Sequence, residues 1–151
     1  MSFDRFTELV EQLCDVIGLP DPAAVLERRV VEVEGFTVVL DHVEADPKAM
    51  YLQFDFGIAT SGRTLRIFRL MLESNLLIYA QDQAQLGLDP DSGAVLLIMR
   101  VPFSKDLDGT WLAETLSHYA EHGRYWRTHL LEPSDDEFNG IALGNFAWMK
   151  A

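Results

Sequence analysis

Cysteine occurs once, at Cys14, so no disulfide forms within the chain and a cysteine-based zinc site is excluded for a single copy. Basic residues are scarce as well. Only 12 Lys and Arg stand against 24 Asp and Glu, which gives a net charge of −12 and an isoelectric point near 4.5. Nucleic acid and anionic membrane surfaces are held by clustered Lys and Arg, so neither fits as a partner. Arg28-Arg29, Arg124 and Arg127 are too scattered to make a basic patch. No apolar run approaches the roughly 18 residues that a membrane-spanning helix needs. The opening MSFDRFTELVEQLCDV has acids spread through it and does not read as a signal peptide. The expectation is a cytoplasmic protein. Also lacking are a Gly-rich phosphate loop, a G-x-S-x-G elbow and a dinucleotide fingerprint, so no catalytic residue, cofactor or metal is assigned.

What is present is a chain of 151 residues, 48% apolar and 24% charged, which is long enough to bury one core and short for two. Phe3, Phe6, Leu9, Val10, Leu13, Cys14, Val16 and Ile17 share one broad face of a first helix over Ser2 to Gly18, with Asp4, Glu8, Glu11 and Asp15 opposite. Three stretches of alternating character follow, around Val31–Val33, Phe36–Asp41 and Met50–Ile58, and read as antiparallel strands. A helix from about Arg63 to Ala80 carries a stripe of Leu65, Phe68, Leu72, Leu76 and Tyr79. Ile67, Leu70, Met71, Leu77 and Ile78 populate its other faces. A helix that is apolar nearly all round must be covered on more than one side, most simply by a second copy of itself.

Leu86 and Leu88 then lead into a turn at Asp89-Pro90-Asp91-Ser92-Gly93, where Pro90 and Gly93 suit a type I turn with a left-handed exit residue. Val95 to Val101 is apolar on both faces and reads as an interior strand. Asp106 or Asp108 caps a last helix over Gly109 to Leu131. The fold class expected is α+β, an antiparallel twisted sheet of about five strands with three helices in the order α-β-β-β-α-β-β-α. Residues 1–131 form the single domain. Residues 132–151 are a tail, acidic at Ser134-Asp-Asp-Glu137 and then apolar with Phe138, Ile141, Leu143, Phe146 and Trp148, expected to dock on the domain or a neighbour.

One catalytic pattern occurs. His118-Tyr-Ala-Glu121-His122 matches the H-x-x-E-H arrangement in which two His on one helix bind zinc and Glu activates water. A third ligand would have to come from Glu114, His129 or the acidic tail. Trp111, His118, His122, Tyr125 and His129 line one flank of the helix, which fits a partly buried contact surface better than a metal site. A zinc hydrolase is the remote alternative.

The residues Leu72-Glu-Ser-Asn-Leu76, then Ala84-Gln-Leu-Gly-Leu-Asp-Pro-Asp-Ser-Gly93, then Val95-Leu-Leu-Ile-Met-Arg-Val-Pro102 carry a resemblance. They are similar to the class I type III secretion chaperones of the Tir-chaperone (CesT-like) family, with an "L-x-x-N-L" element, an "LGLD" strand, a Gly-containing turn and a strand ending in Arg-x-Pro. The resemblance covers about residues 1 to 131. It implies a non-enzymatic homodimer that binds the N-terminal chaperone-binding segment of a secreted effector and keeps it soluble and ready for secretion. Transferred onto this chain, Phe3, Phe6, Val10, Leu13 and Ile17 become client-binding candidates. Phe68, Met71, Leu72 and Asn75 become dimer-interface candidates. An alternative on the same fold is a YbjN-like regulatory or stress protein with another protein partner. The tail after Leu131 departs from the pattern, being longer and rich in aromatics.

Overall fold

Asp21 and Pro22 begin an element that the sequence reading passes over. In the computed structural model, which describes residues 2–59 and 62–131 with the side chains of Ser2, Phe3, Asp82 and His129 left out, four helices accompany the five strands. The additional helix is α2 (Pro22–Arg28), between α1 (Ser2–Ile17) and the first strand. Its start is set by Asp21, whose side chain accepts the Ala24 N–H at 3.2 Å, and by Pro at the first turn. Its end is set by Arg29 in the left-handed conformation (φ 59°), with its N–H on the Val25 carbonyl.

The strands are β1 (Val30–Val33), β2 (Phe36–Asp41), β3 (Ala49–Ile58), β4 (Ala84–Leu88) and β5 (Ala94–Pro102). They form one sheet in the order β1-β2-β3-β5-β4, so the doubly apolar β5 is an interior strand. The other helices are α3 (Thr64–Asp82) and α4 (Gly109–Tyr125), the latter continued by a π-helical turn over Trp126–Leu131. By contacts the chain divides into two compact units, Met1–Phe54 with Arg100–Glu121, and Asp55–Met99 with His122–Ala151.

In the first unit, β1 and β2 are joined at Glu34-Gly35, both at positive φ (51° and 89°), as a tight two-residue hairpin demands. The amphipathic α1 buries Phe6, Leu9, Val10, Leu13 and Cys14 and leaves Asp4, Glu8, Glu11 and Asp15 in solvent. Arg29, Phe6, His42 and Phe103 form a layered stack. The guanidinium lies 5.1 Å from the Phe6 centroid, and the ring pairs Phe6–His42 and His42–Phe103 are 5.6 and 5.8 Å apart. Asp108 caps α4, accepting the Trp111 N–H at 2.8 Å. That cap is locked to α1: the Gly109 N–H donates to Gln12 Oε1 at 3.0 Å, and Arg5 donates to the carbonyl oxygens of Ser104 and Leu107.

In the second unit, α3 turns straight into β4 through Gln83, a left-handed cap (φ 54°) whose N–H donates to the Tyr79 carbonyl. In the β4–β5 turn Gly93 is the left-handed residue that the sequence calls for, at φ +76°, and its N–H donates to the Asp89 carbonyl four residues back. The π-helical turn is fixed from two sides. Arg63 Nη1 donates to the Leu130 carbonyl at 3.3 Å, and Arg127 Nε donates to the Phe56 carbonyl at 3.4 Å.

Candidate functional site

The 3.6-residue period of α3 produces two apolar faces, and the described residues bury only one. Ile67, Leu70, Met71 and Ile78 are buried, together with Ser74, whose hydroxyl donates to the Leu70 carbonyl at 2.6 Å. On the other face Leu65 is 82%, Leu72 71%, Leu76 79% and Tyr79 59% exposed, with Phe68 half-buried between them. These five are the stripe that the sequence period marks. Arg66 and Arg69 border it, and Arg69 Nε pairs with Glu73 Oε1 at 3.1 Å. Burying a fully exposed leucine is worth about 1.5–3 kcal/mol, so three in a row make a strong docking strip.

The dimer candidates therefore part company. Leu72 lies on the uncovered stripe and Phe68 at its margin. Met71 faces inward, 6% exposed. Asn75 spends its amide inside the chain, donating from Nδ2 to the Leu86 carbonyl at 3.2 Å and accepting the Leu86 N–H on Oδ1 at 2.6 Å. Leu65, Leu76 and Tyr79 belong beside Leu72 and are absent from the candidate set, although the same stripe names them.

The client candidates on α1 divide in the same way. Phe6, Val10 and Leu13 are at most 1% exposed, because the first unit has already used them in its core. Ile17 is reachable, 37% exposed, beside Val16 at 49%. The Phe3 side chain lies outside the described residues. Elsewhere in the first unit, Val101, Pro102, Ser104, Asp106, Leu107 and Trp111 line a hollow of about 290 Å³ whose wall is mainly apolar. Sequence reasoning missed it, since it joins a strand end, a loop and a helix start that no single period links.

Of the two edge strands, β4 has its outward backbone groups at Leu86 taken by Asn75, whereas β1 pairs with β2 alone among the described residues. His118 and Glu121 are exposed and His122 half-buried, and among the described residues no three potential ligands gather into a metal site. No helix among them is long and apolar enough to cross a membrane.

A five-stranded antiparallel sheet with an uncovered apolar helix face defines an α+β protein-docking fold of the kind secretion chaperones use. The chain belongs to the Tir chaperone protein (CesT) family, whose model matches residues 8–127, and is with that a type III secretion chaperone. Two solved structures share the fold. The ExsC–ExsE complex aligns at a TM-score of 0.65 with 20% identity, covering 87% of this chain and 97% of that one. The HopA1–SchA chaperone–effector complex aligns at 0.59 with 18% identity, covering 80% and 91%. No curated protein sequence matches significantly.

Proposed function

We propose that this chain works as a homodimer joined through the α3 stripe and holds the N-terminal segment of a secreted effector. It acts in the cytoplasm by binding alone, with no covalent step. The observation that carries the reading is the presence of two uncovered apolar surfaces on a family chaperone of net charge −12. Exposed apolar stripes on a soluble chain mark interaction sites. The fold neighbours ExsC–ExsE and HopA1–SchA, the second a chaperone–effector complex, give the kind of partner.

The client side uses Ile17 and Val16 at the end of α1, with Phe3, and the hollow floored by Leu107 and Trp111. Extended client backbone adds along β1, the edge strand that pairs with β2 alone among the described residues. Phe6, Val10 and Leu13 serve by shaping the helix under that surface. Client burial offsets the cost of ordering a disordered segment, at about 25 cal/mol per Å² of apolar area. The acidic exterior keeps the loaded complex in solution and suits basic stretches of the client.

The test is co-expression with the N-terminal regions of effectors from the native host, followed by mass measurement of the purified complex. Two chaperone copies per client are expected, with Ile17→Glu weakening retention at least tenfold. If no effector segment is retained, client binding is refuted. If the complex holds a single chaperone copy, the dimer is refuted and client binding stands.

A further inference from the structure

The intervals along the α3 stripe read the same in both directions. Leu65, Phe68, Leu72, Leu76 and Tyr79 are separated by three, four, four and three residues, so Leu72 stands midway between the ends. At about 100° per residue Leu72 is also the middle of the stripe's arc. A stripe with that symmetry matches a reversed copy of itself. A two-fold axis crossing α3 at Leu72 sets Leu72 on the partner's Leu72, Phe68 on the partner's Leu76 and Leu65 on the partner's Tyr79. Each stripe residue then meets a stripe residue, and the surface is self-complementary as a two-fold contact demands.

A parallel pair would match the stripe as well, each residue on its like. The charges at the border choose between the two. Arg69 and Glu73 lie on one flank of the stripe, with side chains 83% and 40% exposed and Arg69 Nε 3.1 Å from Glu73 Oε1. Phe68 and Asn75 edge the other flank. Two helices running antiparallel about a two-fold axis bring like flanks together, whereas a parallel pair brings opposite flanks together. In the reversed pair, Arg69 is only about 3 Å along the axis from the partner's Glu73, at about 1.5 Å rise per residue. The symmetric pair forms on the other side of the axis, and the two arginines bracket the two glutamates. In a parallel pair Arg69 and Glu73 would face Phe68 and Asn75, with no opposite charge to receive them. Reversal also sets the positive start of each helix beside the negative end of the other.

We infer that a second copy seats antiparallel on α3, with the two-fold axis at Leu72 and reciprocal Arg69–Glu73 pairs beside it. This arrangement rests on the dimer proposed above and fixes its geometry. Apolar burial along the stripe supplies the affinity. The charged flank supplies the direction and the register, since like charges brought together cost more than an exposed pair gains.

The experiment uses the full chain with Cys14→Ser and one added cysteine, Leu65→Cys, Leu72→Cys or Tyr79→Cys, each first weighed by light scattering. A short bismaleimide should join Leu72→Cys to its own copy. Leu65→Cys and Tyr79→Cys each lie about 21 Å along the axis from their own copies, and should react only when the two variants are mixed. A dimer that cross-links equally at all three positions is parallel and overturns the inference. A dimer that cross-links at none also overturns it, because the seam is then elsewhere than α3. A chain that is monomeric at micromolar concentration refutes the dimer itself, and the arrangement falls with it. The second arm reads charge. Glu73→Arg should raise the dimer dissociation constant roughly tenfold or more, and Arg69→Glu/Glu73→Arg should bring it back near the wild-type value. An unchanged constant in the single variant, or no recovery in the double one, overturns the reciprocal pairs.

Discussion

Asn75 of α3 and Leu86 of β4 close a ring of two hydrogen bonds, Nδ2 to the Leu86 carbonyl at 3.2 Å and the Leu86 N–H to Oδ1 at 2.6 Å. The contact lies eleven residues along the chain and exists because Gln83, in the left-handed conformation, folds β4 back against α3. Asn75→Ala strands a half-buried donor and acceptor, and is expected to cost about 1–3 kcal/mol in urea denaturation. Asn75→Asp keeps the acceptor for Leu86 N–H and loses the donor, so it should fall between wild type and Ala. A second consequence separates this from simple destabilisation: amide exchange at Leu86 should speed up relative to wild type, while the β1–β2 hairpin keeps its own rates.

The role of Asn75 also marks where the sequence stops being legible. Helical phase places it near the Leu72 stripe, but a side chain that bonds to a strand edge is visible only once the α3–β4 turn is known. Phase likewise identifies the stripe Leu65, Phe68, Leu72, Leu76 and Tyr79 without saying which apolar face the chain will cover itself. Met71, at the border of the two faces, goes inward. In α1 the period correctly gathers Phe6, Val10, Leu13 and Ile17 on one face. Amphipathicity says that a face will be covered, not by what, and the chain's own core takes the first three. The omitted α2 did carry a signal, Asp21-Pro22 as cap and first turn, but seven residues are too few to display a period.

Gly109 predicts a sharper effect than its place at a helix start suggests. A Cβ built there would lie 2.5 Å from the Gln12 carbonyl carbon and 2.6 Å from its oxygen, backbone atoms of α1 that cannot rotate away. Gly109→Ala must push the start of α4 off α1 and break the bond from the Gly109 N–H to Gln12 Oε1. A loss of about 1–3 kcal/mol is expected from such overpacking. Thr110→Ala, one exposed residue later, is the control and should change the urea midpoint little. Equal midpoints for the two variants would refute the close approach.

The ion pair that joins the β2–β3 connection to β5 sets an acid limit. Asp46 accepts from Arg100 Nε at 2.7 Å, from Arg100 Nη2 at 3.0 Å and from the Tyr51 hydroxyl at 2.5 Å. Those bonds, Arg100 first, pull its carboxyl from 3.8 down to about 2. Because the folded value is the lower one, the contribution is complete above the unfolded pKa and is lost as pH falls from about 4 toward 2. Wild type should therefore lose stability through that window faster than Asp46→Asn, which has no proton to take up there. Urea midpoints at stepped pH check this, and parallel curves for the two proteins would remove Asp46 from the account. Arg100→Lys, which cannot hold the carboxylate with two parallel bonds, should shift the loss to higher pH.

The two faces of α3 make opposite predictions for the same chemical change. Leu70 is buried and Leu72 is 71% exposed, two residues apart on one helix. Leu70→Asp places an unpaired charge in the core of the second unit and should leave no cooperative unfolding transition at neutral pH. Leu72→Asp meets water in the isolated chain, so its effect on the stability of the monomer should stay within about 0.5 kcal/mol. In a dimer built on the stripe, the same carboxylate is forced against an apolar partner. Leu72→Asp should thus convert dimer to folded monomer at micromolar concentration, with circular dichroism unchanged. Light scattering after size exclusion reads the mass directly. A Leu72→Asp protein that stays dimeric while keeping its fold would move the seam away from α3 and leave Leu65, Leu76 and Tyr79 to a different partner.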